Sequence, residues 1–168
     1  MSAQSPSAET AQPDDGAAAT AAPAAGKAQV PAAQAPACHH VFVYGTLRRG
    51  ESNDINLLEP RPTYIDAAVI EGKLYCLGWY PGLSVQTGSL VQGEVYRIGA
   101  ALELRLDEIE GLLPEPNGEY SKRIRTVQLA SGGCLVCLVY EIEPSALVEP
   151  RQIIEHGDWC RFFASRFD

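Results

Sequence analysis

Five runs rich in β-branched and aromatic residues lie between His40 and Glu143, and only one stretch among them has the period of a helix. That ordering constrains the fold more than any other feature of the chain. The runs are "HVFVYG" (40–45), "YIDAAVIEGKLYCL" (64–77), "LVQGEVYRIG" (strand at about 91–98), "YSKRIRTVQL" (120–129) and "CLVCLVYEIE" (134–143), each with the composition of a strand. Gly72 predicts a bend or bulge in the second run, and residues 130–133 predict a hairpin between the last two. In "AALELRLDEIEG", Leu102, Leu106, Ile109 and Leu113 recur at the spacing of one helix face, with Gly111 as the stop signal. "GWYPGL" (78–83) and "LPEPNGE" (113–119) read as loops, and "RRGESNDINLLEP" as turns with a short helix near Asn56–Leu58. "DWCRFFASRF" reads as a short amphipathic helix with Trp159, Phe162, Phe163 and Phe167 on or near one face. Strands that do not alternate with helices predict an α+β fold, a curved antiparallel-rich sheet or small barrel with helices packed on it.

Composition divides the chain. Residues 1–37 hold 15 Ala and 5 Pro, no aromatic residue and no Leu or Ile. Such a segment buries too little apolar surface to offset its ordering entropy, so a disordered Ala/Pro-rich tail is expected there, followed by one domain over residues 38–168. No basic start and Leu-rich apolar core marks a secretory signal, and no apolar run approaches the roughly 20 residues that cross a bilayer. The expected location is cytoplasmic. The net charge is −8, which disfavours nucleic-acid binding through phosphates.

Five cysteines with uneven spacing do not form a disulfide framework. Cys134 and Cys137 have CxxC spacing, but on a strand two such thiols point to opposite faces and cannot chelate one metal. The histidines His39, His40 and His156 show no ligand spacing, and no Walker-type phosphate loop, GxGxxG turn or GxSxG elbow is present.

Two places carry chemistry. "VFVYGTLRRG" (41–50) reads either as a strand with an ordinary solvated turn or as a strand whose end holds a ligand. In the second case, consecutive backbone N–H groups after the strand bind anions or polarised carbonyls. Gly45 allows close approach, Thr46 offers a hydroxyl and Tyr44 an aromatic face with a donor. Arg48 and Arg49 read as exposed bystanders. At the end of the helix, Glu110 borders the apolar face, while Asp107 and Glu108 fall towards water. Partial desolvation and the negative end of the helix dipole both raise the pKa of such a carboxylate towards the range useful for proton transfer. Equally, Glu110 reads as a boundary residue whose stem packs and whose head reaches solvent.

Tyr44-Gly45-Thr46-Leu47 and Leu106-Asp107-Glu108-Ile109-Glu110-Gly111, in this order, resemble the marks of the γ-glutamylcyclotransferase-like family, including its γ-glutamylamine branch. "GKLYCLGWYPGL", "GEVYRI", Tyr120 and "HGDWCRFF" extend the resemblance over about residues 41–163. It implies a small mixed, mostly antiparallel β-barrel with packed helices. It implies substrate binding by Tyr44, Gly45, Thr46, Leu47 and Tyr120, with Glu110 as general acid and base. The implied reaction closes a γ-glutamyl amine or amino acid to 5-oxoproline and expels a free amine, by attack of the substrate's own α-amine, with no metal or cofactor. The expected partner is thus a small molecule, neither nucleic acid nor membrane. A non-catalytic module binding a small ligand in the same pocket is the alternative. The sequence sets neither the leaving group nor the oligomeric state.

Overall fold

The computed structural model describes residues 39–148 and 150–167. The expectations for residues 1–37 and for Cys38 lie outside the described residues. The elements are β1 (His40–Val43), β2 (Thr63–Cys76), β3 (Pro81–Arg97), α1 (Ala100–Ile109), β4 (Tyr120–Leu129), β5 (Cys134–Ile142), β6 (Gln152–Ile153) and α2 (Trp159–Ala164). Short 3₁₀ turns at Ile55–Leu57 and Pro144–Ala146 complete the regular structure among the described residues.

β1 to β5 close into a mixed barrel. Around the ring the order is β3-β1-β5-β4-β2, and β2 pairs back onto β3. β1 meets β5 in parallel at Val41↔Leu138, and the other neighbours are antiparallel. A parallel pair needs a long crossover, and here the whole of β2, β3, α1 and β4 lies between its two strands.

Why the first run is so uniformly apolar is now visible. Phe42 and Tyr44 join one buried cluster, with Val95, Val139 and Trp159, while Val41 and Val43 join another, with Leu102, Leu106 and Leu138. β1 and β5 are therefore covered on both faces, which calls for continuous apolar sequence rather than alternation. Leu102 and Leu106 of α1 belong to one cluster and Trp159 of α2 to the other.

Several expectations shift. "GWYPGL" is only partly loop, because Pro81, Gly82 and Leu83 already pair with Cys76, Tyr75 and Leu74. The strand expected at about 91–98 is thus the second half of a 17-residue strand. The irregularity at Gly72 exists, and the extra chain sits on the partner: Glu71 faces Leu90 and Gly72 faces Val85. Ile109 and Leu113 are 36% and 37% exposed, so the buried stripe of α1 rests on Leu102 and Leu106. Phe167, 68% exposed, lies beyond α2, which ends at Ala164.

Arg48 is no bystander. Its guanidinium donates to Glu94 at 3.3 Å and to Asp158 at 2.9 Å, tying the loop after β1 to β3 and to the N-cap of α2. Arg49 keeps the exposed character expected, with its guanidinium 5.2 Å from the centre of the Tyr64 ring.

Candidate active site

β1 leads into the first wall of a cavity of about 360 Å³. Its strand pairing stops at Val43, and a turn follows in which the Arg48 N–H donates to the Gly45 carbonyl at 3.0 Å. The N–H groups of Gly45, Thr46 and Leu47 donate to no acceptor among the described residues, so three successive backbone donors stand beside the cavity. The absence of a side chain at Gly45 has a second use, since a Cβ there would lie 2.5 Å from the Cγ of Pro81. The loop is thereby pressed against the start of β3.

Both predicted tyrosines line the cavity, yet their hydroxyls are committed elsewhere. Tyr44 donates to the Tyr140 carbonyl at 2.6 Å and Tyr120 to the Pro81 carbonyl at 2.7 Å. Each offers the cavity a ring, which for Tyr44 replaces the donor expected from sequence, and burial pushes both phenols above their ordinary pKa. The Thr46 hydroxyl accepts from Asn53 at 3.2 Å and so stays able to donate.

α1 brings Glu110 to the same space. The helix ends in a glycine cap: Gly111 sits at φ 71°, its N–H donates to Glu108 at 3.2 Å and the Leu112 N–H to Asp107 at 2.8 Å. Glu110 is the capping residue just before that reversal, and its carboxylate accepts no hydrogen bond from a described residue. Burial, with the Glu119 carboxylate as a second cause, raises its pKa to about 7.

Asp107, expected to face water, is buried. Tyr140 and Lys122, from β5 and β4, reach over it: the Tyr140 hydroxyl donates to one oxygen at 2.7 Å and Lys122 Nζ to the other at 2.7 Å. Lys122 also donates to Glu103 at 2.6 Å. The Asp107 carboxylate thus has a partner on each oxygen, whereas Glu110, one turn on, accepts from no described residue.

All six sequence-derived site residues line this one cavity. Of the second wall, the proline-bearing loop over Leu112–Tyr120 reads from sequence as the side that faces the leaving group, and the bend at 78–80 was missed. Trp79 and Tyr80 come from the bend before β3, Pro81 from its first position, and Asn117 and Glu119 from the loop after α1. The Asn117 N–H donates to the Gly111 carbonyl at 2.9 Å and its side-chain oxygen accepts from the Glu119 N–H at 2.9 Å. That loop is thus fastened beside the helix cap. Tyr80 donates its hydroxyl to Glu119 at 2.9 Å. A bend of Gly, Trp, Tyr and Pro was a signal for a ligand wall, since exposed aromatic residues in a fixed turn are unusual.

A concave site with a near-neutral carboxylate and free backbone donors has the general make-up of an enzyme centre. The family model described as gamma-glutamyl cyclotransferase, AIG2-like, matches residues 41–161. A Vibrio cholerae serotype O1 protein provisionally named a gamma-glutamylcyclotransferase is 34% identical over 131 residues, covering 73% of this chain and 96% of that one. Gamma-L-glutamyl-butirosin B gamma-glutamyl cyclotransferase of Niallia circulans is 31% identical over 125 residues, 73% of this chain and 76% of its own length. A crystal structure of an AIG2-like protein from Mus musculus matches with a TM-score of 0.56 at 25% identity, over 68% of this chain and 86% of that one. The chain belongs to the AIG2-like gamma-glutamyl cyclotransferase family. No helix among the described residues is long and apolar enough to cross a membrane.

Proposed function

We propose that this protein converts a γ-glutamyl amine or γ-glutamyl amino acid to 5-oxoproline and a free amine, with Glu110 as general acid and base. The observation that carries this reading is the Glu110 carboxylate, unpaired and raised to about 7, lining the same cavity as the free N–H groups of residues 45–47.

The substrate's α-ammonium cannot attack while protonated. Glu110 in its ionised form takes one proton from it, and the freed amine adds to the γ-carbonyl carbon. The new C–N bond closes a five-membered ring and places negative charge on the carbonyl oxygen, where backbone donors stabilise it. The ring nitrogen loses a second proton as the C–N bond to the leaving group breaks. The leaving nitrogen takes up both protons through Glu110, one after the other, and departs as an ammonium. No water is consumed and no proton is lost overall, so one carboxylate that titrates near neutrality suffices. Because the nucleophile is part of the substrate, holding the chain folded back on itself supplies much of the rate. The Tyr44–Leu47 loop and the Tyr120 ring are suited to that positioning.

Incubation with a panel of γ-glutamyl amines and amino acids tests the reading, with 5-oxoproline measured by mass spectrometry. Release from at least one compound, lost in Glu110→Gln, is expected. Tight calorimetric binding of such a compound with no 5-oxoproline formed would instead favour a non-catalytic binding module.

A further inference from the structure

The bend at 78–80 carries two cavity-lining rings on little structure of its own. It is a short reversal between β2 and β3, closed by the Leu77 N–H donating to the Tyr80 carbonyl at 3.0 Å. Gly78 sits at φ 114°, a conformation that residues with side chains rarely adopt. Trp79 and Tyr80 both line the cavity, yet Trp79 leaves 72% of its surface exposed. A large ring in that setting keeps one orientation only if something beyond the bend holds it.

That support comes from residues 159–167. Past α2 the backbone continues as a hydrogen-bonded turn, the Arg166 N–H donating to the Phe163 carbonyl and the Phe167 N–H to the Ala164 carbonyl, both at 3.2 Å. From this turn Arg166 reaches back 88 residues along the chain. Its guanidinium donates to the Gly78 carbonyl at 2.8 Å, and the same nitrogen lies 3.7 Å from Cys76 Sγ. The guanidinium also lies over the Phe162 ring, 5.9 Å from its centre, which narrows its freedom. A second line of contact is made of rings. Trp159, wholly buried in the barrel cluster, stacks on Phe163 at 5.1 Å, and Phe163 meets Trp79 edge-on at 6.0 Å. No residue from 159 to 167 is among the described residues lining the cavity.

We infer that Arg166 and Phe163 are positioning residues, which fix the Trp79–Tyr80 bend from outside the cavity, one through the Gly78 carbonyl and the other through the Trp79 ring. Both lie beyond residues 41–161, the span that the family model matches. For its kinetic consequence the inference rests on the cyclotransferase reading above. Glu110 and the N–H groups of residues 45–47 stand apart from the bend, so the brace acts on substrate binding and not on proton transfer.

Two measurements on the full-length protein test it. In Arg166→Met, exchange of the Leu77 amide, followed by NMR, should quicken by about three- to tenfold because the bend opens more often. The urea midpoint should stay at its wild-type value, since Arg166 is exposed. With the γ-glutamyl compound that yields most 5-oxoproline, KM should rise by about three- to tenfold while kcat stays within about twofold. The pH of the acid limb of kcat/KM should not move. Arg166→Lys keeps a cationic donor for the carbonyl and should lie nearer to wild type than to Arg166→Met on both measures. Phe163→Leu keeps apolar bulk against Trp159 but loses the edge contact with Trp79, and should raise KM by about two- to tenfold. Unchanged Leu77 exchange in Arg166→Met, exchange that quickens alike across the whole barrel, or a fall in kcat with KM unaltered would overturn the inference and leave the cyclotransferase reading standing. Faster exchange confined to the bend, with no 5-oxoproline formed by the wild type, would take down that reading and keep the brace.

Discussion

One side of the cavity is made where regular elements end: β1 stops at Val43, α1 stops at Ile109, and both ends are locked by hydrogen bonds. The other side is made of two loops, 78–80 and 112–119, whose side chains hold one another through Tyr80, Asn117 and Glu119. In the proposed reaction the first wall supplies the groups for proton transfer and oxygen binding. The second carries aromatic and acidic surface that those steps do not need. On the proposed reading, chemistry lies where the barrel makes the backbone rigid, and the facing wall is made of loops that can change without disturbing the barrel.

The sharpest way to break that division is at Glu110. Glu110→Gln keeps size and hydrogen-bonding capacity but cannot cycle a proton, so 5-oxoproline formation should fall by about 10²- to 10⁴-fold. The circular dichroism spectrum should stay unchanged. Activity within tenfold of wild type would remove Glu110 from the mechanism and the first wall from its role.

Lys122 tests whether the first wall depends on the barrel beneath it. Lys122→Met removes the cation from Asp107, whose side chain is 9% exposed, and leaves one carboxylate oxygen without its partner. Stability should drop by about 1–3 kcal/mol, read from urea denaturation. KM should rise less than kcat falls, because the Tyr140 ring and the Tyr44 bond to its carbonyl shift with Asp107. An unchanged midpoint would mean that the network contributes nothing to the site's rigidity.

How far the sequence reached follows the same division. The first wall was legible because local patterns specify it: a strand closed by Gly-Thr, and a helix closed by Gly111 with a glutamate beside the cap. Asp107 was misread because its burial comes from β4 and β5. Periodicity along α1 contains no information about Lys122 and Tyr140, residues 15 and 33 positions away. Arg48 was misread for the same reason, its partners Glu94 and Asp158 being 46 and 110 residues distant. Of the second wall, the loop after α1 was legible as the proline-bearing stretch that follows the glutamate, whereas the bend at 78–80 stayed hidden because it has no period at all. Only the pairing of Pro81–Leu83 with Leu74–Cys76 brings Tyr80 across from Glu119.

A smaller effect concerns the stability cost of the tuned acid. The folded-state pKa of Glu110 is raised from 4.5 to about 7, so between those values the folded protein holds a proton that the unfolded chain has released. Stability therefore falls as pH rises through that window, and the penalty is fully present above it. Glu110→Gln has no such penalty. It should be more stable than wild type by about 1–2 kcal/mol at pH 8, with the gain vanishing towards pH 4. A gain that does not vary with pH would mean that the carboxylate is not desolvated by the fold.

The subtlest expected change links the two walls. In the proposed mechanism catalysis needs Glu110 ionised, so kcat/KM should rise with pH through an apparent value of about 7. Glu119 contributes to that value as a nearby negative charge, behind burial as the main cause. Removing its charge in Glu119→Gln should move the acid limb to lower pH while the limb keeps its slope, read with a γ-glutamyl amide whose leaving group carries no charge of its own. A shift upward would reverse the sign of the coupling and show that Glu119 acts on Glu110 through something other than charge. A downward shift that disappears in high salt would instead identify solvent-screened repulsion between the two carboxylates. A downward shift that persists would mean that the loop wall tunes the acid of the rigid wall, and that the two walls are coupled at this one pair.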